Sequence, residues 1–131
     1  MFRSLSGFLL LALLLGAGCG GSSSDSPARP ATDDLGRSVS VEAPVRRVVS
    51  LAPNLTEIAY AAAAGSTLVA ITKSGDFPPP VDTLPHVGAL PVDFEAIAAQ
   101  EPGLVLATDQ INAPADTETF EALGLPIYFF S

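Results

Sequence analysis

The apolar and polar positions of this chain fall into repeated blocks, each a short apolar run followed by a turn and then a segment with helical spacing. The clearest block is residues 46–65, RRVVSLAPNLTEIAYAAAAG. Val48, Val49, Ser50 and Leu51 form a β-branched run suited to a strand covered on both faces, as parallel sheets require. Pro53 stops it. Asn54 is placed to cap a helix by accepting from an unpaired backbone N–H, and Glu57, three residues on, has the position of the reciprocal partner in a capping box. Leu55, Ile58, Ala59 and Ala62 give that helix an apolar stripe, and Gly65 can take the left-handed conformation that ends it. The turn from Leu51 to Asn54 then lies outside the carboxyl end of a strand, where open α/β sheets bind ligands.

The later blocks repeat the plan. Residues 67–72, TLVAIT, predict a second strand, and a connection through a helix makes it parallel to the first with a right-handed crossover. The next stretch, KSGDFPPPVDTLPHVGALP, is too rich in Pro and Gly for regular structure, and so long a loop between ordered flanks is usually functional. Asp93 is placed to cap a short helix, FEAIAAQ. Residues 103–108, GLVLAT, give a third strand, and Pro114 suits the first turn of a third helix, TETFEALG, closed by Gly124. Residues 126–130 form the last strand. Before the first block, TDDLGRSVSVEAPVRR has turn residues at Asp34, Leu35 and Gly36, and alternation through Val39 and Val41, the pattern of a small hairpin. The expected fold is α/β: a three-layer lobe with a mainly parallel sheet flanked by helices and preceded by that hairpin.

The first 31 residues do not fit this plan. Arg3, an apolar run from Phe8 to Leu15 and small residues up to Cys19 have the three-part layout of a secretory signal. The run is too short to cross a bilayer, which needs ~20 apolar residues. Cys19 is the chain's one cysteine, so no intrachain disulfide can form. Gly16, Ala17, Gly18 and Cys19 resemble the lipobox of bacterial lipoproteins, although Leu is usual where Gly16 stands and Leu15 sits one place early. The resemblance implies a signal peptide over 1–18 and a diacylglycerol-modified Cys19 as the new N-terminus, anchored because each buried methylene contributes ~0.8 kcal/mol. Plain cleavage leaving a free thiol, or an uncleaved anchor, are the other readings. Residues 19–31 are small, polar and Pro-containing, and read as a flexible tether holding a domain, residues 32–131, off the membrane.

Of 131 residues 48% are hydrophobic, enough for one domain with a real core. Fourteen acids against six bases give a net charge of −8, and loss of the signal would remove Arg3 as well. That balance opposes nucleic acid as a partner, because such affinity comes largely from Lys and Arg neutralising phosphates. A basic protein partner is compatible with it. The terminal strand, with Tyr128, Phe129 and Phe130, has nothing after it to cover a face or an edge, and exposed apolar strands favour aggregation. The chain is therefore expected to be a piece of a longer one, with a natural small domain as the other reading.

In order and spacing these segments resemble the periplasmic binding proteins of ABC importers for vitamin B12, haem and iron–siderophores, which have two lobes joined by a long helix. TDDLGRSVSV is similar to the family's opening hairpin and RVVSLAPNLTEIAYAAAAG to its first strand and helix. SGDFPPPVDTLPHVGAL is similar to the loop after the second strand. DFEAIAAQEPGLVLA resembles a recurring acidic helix start followed by Pro and a buried strand, and LGLPIYFF resembles the last strand of the first lobe. The resemblance covers residues 32–131 and implies the N-terminal lobe alone, with the second lobe and the long helix absent. Together with the lipobox it points to a monomeric lipoprotein, not an enzyme and without a cofactor, held on the extracytoplasmic face of a bacterial membrane by its lipid anchor. Its ligand would be a corrinoid, haem or ferric siderophore and its partner an ABC importer permease.

The ligand would meet loops at the carboxyl ends of the strands: Ala52, Pro53 and Asn54, then Ser74, Asp76, Phe77 and Pro78, then Asp109 and Gln110. Phe77 stands where the SDYPP segment of B12-binding members has Tyr. A ring face against a macrocycle survives that change, and a hydroxyl hydrogen bond does not. Phe77 also reads as a core plug, Asn54 as a helix cap before a ligand contact, and Asp76, Asp109 and Gln110 as solvated loop residues. Glu95 matches a glutamate that in the family pairs with arginine on the permease, a contact that sets orientation more than affinity. It is also a helix-start acid favoured by the dipole.

A zinc or manganese receptor is the nearest alternative, but it needs several converging His or carboxylate ligands, and the chain has one histidine, His86. An enzyme lacks support: SLAPN carries no glycine triplet, no GK[ST] and no GxSxG around Ser50. A purely structural lipoprotein would explain anchor and tether but not the long loop beside the strand ends.

Overall fold

The computed structural model describes residues 28–131. The expectations for the signal peptide, Cys19 and most of the tether fall outside those residues. Strand β1 (Ala28–Thr32) pairs antiparallel with β2 (Ser38–Glu42), so the hairpin begins inside the stretch read as tether. The main sheet is parallel throughout. It contains β3 (Val48–Ser50), β4 (Leu68–Thr72), β5 (His86–Val87), β6 (Leu104–Thr108) and β7 (Ile127–Phe130), in the order β5-β4-β3-β6-β7. Helices α1 (Pro53–Ala61), α2 (Phe94–Ala98) and α3 (Thr117–Ala122) cover its faces.

Strand β5 lies in the loop expected to be irregular. Ile71 N–H donates to Pro85 O at 3.0 Å and Lys73 N–H to Val87 O at 3.1 Å, so two residues join the sheet edge despite the prolines around them. A 3-10 turn, Pro79–Thr83, buries Val81 ahead of it.

Residues of the sheet divide between two cores, one on each face. Val49, Leu51, Val105, Ala107, Ile127 and Phe129 pack with Ile97 of α2 and Phe120 of α3. Phe94 meets Phe120 edge-on, with ring centroids 5.0 Å apart. Each fully buried Phe contributes ~1.5–3 kcal/mol through the apolar area removed from water. The other face packs Val48, Leu68 and Ile71 against Ala59 and Tyr60 of α1. Beside α1 it leaves an apolar groove of about 280 Å³ lined by Leu55, Ile58, Leu104, Leu106 and Phe130, among others.

Three expectations about α1 change. Ala52, in an extended conformation, is its N-cap, Pro53 fills the first helical position, and no side chain caps it, so Asn54 and Glu57 lie exposed within the helix. Proline suits that position because its missing N–H would have been unpaired there. The buried residues are Leu55, Thr56 and Ala59, while Ile58 is 58% exposed on the groove. The left-handed residue after the helix is Ala63, at φ 59°, and Gly65 serves otherwise: a Cβ there would stand 2.6 Å from the Tyr60 ring. Asp93 and Gly124 behave as their sequence positions suggest. The Asp93 side chain accepts from Ala96 N–H at 3.0 Å, and Gly124 takes φ 69° while Leu125 N–H closes α3 on Phe120 O.

The edge of β7 is covered from the other end of the chain. Phe129 O accepts from Asp34 N–H at 3.0 Å, and Ile127 O accepts from the Arg37 guanidinium at 3.1 Å. These are carbonyls that an edge strand would otherwise offer to a second chain. Phe129 is fully buried, with Arg37 over its ring, and only Phe130 keeps substantial exposure. Arg37 also pairs with buried Asp33 at 2.6 Å and with Glu121 at 3.3 Å. Burial alone would raise the Asp33 carboxyl, but the backbone and guanidinium hydrogen bonds and the charge of Arg37, with help from the Phe129 backbone, outweigh it and hold it below its ordinary value.

Candidate functional site

The chain runs from β3 outward to β4 and β5, then returns past β3 to β6 and β7. The direction of winding therefore reverses between β3 and β6, and the loops leaving the carboxyl ends of those two strands part to leave a crevice. A cleft of about 220 Å³ lies there, lined by Leu51 and Pro53 after β3, Lys73 and Ser74 after β4, Ala89 and Leu90 after β5, and Ile111 after β6. A shallower depression beside it runs from Lys73 and Leu90 to Asp93 and Glu95.

Buried hydroxyls and one amide shape the walls. Ser50 Oγ donates to Ala52 O at 3.0 Å, and Thr56 Oγ1 donates to Ser50 Oγ at 2.9 Å, all three residues being fully buried. This bonding draws the turn after β3 onto the first coil of α1 and satisfies polar groups that would be costly unpaired. Across the cleft, buried Asn112 donates through Nδ2 to Ala89 O at 2.9 Å and accepts at Oδ1 from Thr108 N–H at 3.3 Å. The loop after β6 is thereby tied to the loop after β5.

Of the expected contact residues, Pro53 and Ser74 line the cleft. Ala52 is fully buried and contributes its carbonyl to the turn, so its side chain does not reach a ligand. Asn54, Asp76, Asp109 and Gln110 are exposed on the surrounding loops, and Pro78 is half-buried. Phe77 is 57% exposed, which removes the reading as a core plug. Glu95 is exposed in the first turn of α2.

Leu90 was not singled out by sequence reasoning. It is 79% exposed at the cleft edge, and Ile111, 36% exposed, faces it from the loop after β6. An apolar side chain in a Pro- and Gly-rich loop has no periodicity to mark it; the only available signal was its exposure in a segment with no helix or strand to bury it. Among the described residues no three His, Cys, Asp or Glu side chains gather as a metal site would require. No described helix is long and apolar enough to cross a membrane.

No protein-family model matches the chain. A vitamin B12-binding protein of Vibrio parahaemolyticus is 40% identical over 87 residues, covering 66% of this chain and 32% of that protein. Its counterpart in Yersinia pestis is 39% identical over 84 residues, covering 63% and 30%. The crystal structure of the periplasmic vitamin B12-binding protein of Vibrio cholerae matches with a TM-score of 0.62 at 37% identity, over 67% of this chain and 35% of that one. The periplasmic haem-binding protein of Roseiflexus in its apo form matches with a TM-score of 0.59 at 29% identity, over 65% and 33%. The chain thus spans about one third of the length of the relatives it matches. The resemblance to periplasmic binding proteins holds in sequence and in fold over about a third of their length, and the described residues have the fold of one lobe of such a protein.

Proposed function

We propose that this chain is the N-terminal lobe of an extracytoplasmic substrate-binding lipoprotein, anchored through Cys19, that delivers a cobalamin-like, haem or ferric-siderophore ligand to an ABC importer. The observation that carries the reading is the cleft at the switch between β3 and β6, where Leu90 and Ile111 expose apolar surface beside polar loop ends. A large macrocycle needs an apolar wall with a few orienting polar groups, and identity to vitamin B12-binding proteins supports that ligand class. One lobe supplies one wall, so the chain alone would hold its ligand weakly.

Each candidate ligand is coloured, so absorbance titration with cyanocobalamin, hemin and a ferric siderophore tests the proposal. A spectral change or thermal shift with one of them is expected. No response to any of the three from a protein comprising both lobes would end the assignment. Glu95, exposed at the start of α2, is the candidate contact with arginine on the permease.

A further inference from the structure

Lys73 is the chain's one lysine, in a protein with fourteen acids. Its backbone is held by the bond from its N–H to Val87 O at 3.1 Å, while its side chain is exposed on the rim shared by the cleft and the adjoining depression. Ser74, its neighbour, lines the cleft with an exposed hydroxyl. The arginines lie elsewhere. Arg37 is paired with Asp33 and Glu121, and Arg47 donates to the carbonyls of Gln100 and Glu101. Arg46 precedes β3 at the opposite end of the sheet, Arg29 is in the hairpin, and Arg3 lies outside the described residues. Asp93 and Glu95 share the depression with Lys73, but Asp93 is engaged by Ala96 N–H, and no carboxylate pairs with the lysine among the described residues.

An exposed cation with no acid against it among the described residues, at the mouth of a cleft in an acidic protein, favours negative charge on this wall. The protein's net charge repels an anion at a distance, but salt screens that repulsion beyond ~10 Å, so the local ammonium governs the last approach. We infer that Lys73 is a specificity-determining residue that meets an oxyanion on the edge of an otherwise apolar ligand, with the Ser74 hydroxyl beside it as a second donor. This rests on the proposed function and refines it. The oxyanion would be a haem propionate or the phosphodiester of a cobalamin, and both would use the same ammonium.

The test is a paired titration of the protein and its Lys73→Met and Lys73→Arg variants. Hemin is set against its dimethyl ester, which keeps the ring and removes the carboxylates. Cyanocobalamin is set against dicyanocobinamide, which lacks the phosphodiester. For the anionic member of the pair that binds, Lys73→Met is expected to weaken affinity about two- to fivefold and flatten its salt dependence, as for a solvent-exposed ion pair. Lys73→Arg should retain affinity, and the partner lacking the oxyanion should bind all three proteins equally. The pair that responds identifies the oxyanion. Equal affinity of the parent and Lys73→Met for the anionic probe, or an equal loss for both members of a pair, would overturn the inference while leaving the proposed function standing. Failure of a protein comprising both lobes to bind any of the four probes would overturn the inference, and its failure to respond to a ferric siderophore as well would overturn the proposed function.

Discussion

The carboxamide of Asn112 joins the two loops that face each other across the cleft, donating to Ala89 O at 2.9 Å from a site almost wholly closed to water. Removing it leaves Ala89 O and Thr108 N–H without their partner. Asn112→Ala is therefore expected to cost about 1–3 kcal/mol in urea unfolding. Hydrogen exchange should rise in residues 88–91 and 109–112, with β3 and α1 unaffected. A loss of stability without that local signature would mean that Asn112 acts as packing alone.

Phe77 gives the opposite pattern. Because it is 57% exposed and joins neither core, Phe77→Ala should change stability by no more than ~0.5 kcal/mol. Ligand affinity in the titrations above should fall. Phe77→Tyr should preserve affinity, since the ring face is kept. A large fall in unfolding midpoint for Phe77→Ala would contradict the exposed placement.

The glycine after α1 stands two residues beyond the left-handed position. Gly65→Ala would bring a methyl to 2.6 Å from the Tyr60 ring and 2.8 Å from its Cγ, the ring atom nearest the backbone, and should cost about 1–3 kcal/mol. Adding Tyr60→Ala should recover part of that loss, giving a double mutant less destabilised than the two singles summed. Ala63→Gly relieves a left-handed alanine and should be neutral or stabilising by up to ~1 kcal/mol. Thermal unfolding of the four variants checks all three statements.

Asp33 makes stability depend on acid. Its carboxyl is held below its ordinary value, so the stabilisation it brings is complete above the unfolded value of ~3.9 and is lost as pH falls through the lower folded value. Unfolding midpoints measured from pH 6 down to pH 2 should change little above about pH 5 and decline below it. In Asp33→Asn the decline should be smaller, and stability at pH 7 should be lower by about 1–3 kcal/mol, since Arg37 loses a charged hydrogen bond. Parallel pH profiles for the two proteins would remove Asp33 from the acid response.

Glu95→Arg tests the docking role. In cells carrying the complete importer, it is expected to reduce transport severalfold while ligand affinity of the purified protein stays unchanged, because reversing a rim charge alters encounter and register at the permease. Equal loss of both would place the effect in the ligand site.

Much of the fold was legible because its signals are local. Asp93, Pro114 and Gly124 act within a few residues of their own positions, and the β-branched runs around Val49, Ile71 and Val105 are buried as their composition suggests. What escaped was set by distant or competing partners. Asn54 looks like a cap until Pro53 takes the first helical position and Thr56 bonds back to Ser50. His86 and Val87 become a strand only because β4 offers its edge. Leu90 acquires meaning from the cleft beside it, and Asn112 from a carbonyl 23 residues earlier.

The seal on the edge of β7 also shapes how the molecule assembles. Its bonds, Arg37 to Ile127, Tyr128 to Thr32 and Ser131 to Asp34, join positions 90 to 97 residues apart. The hairpin leaves the ribosome before β7, yet it has nothing to close against until β7 has paired with β6. So wide a loop must be drawn in before these contacts repay it, a demand that slows closure relative to contacts made locally. Until then the nascent chain carries an open edge, and the interval between making the hairpin and docking it is when self-association competes most strongly with folding.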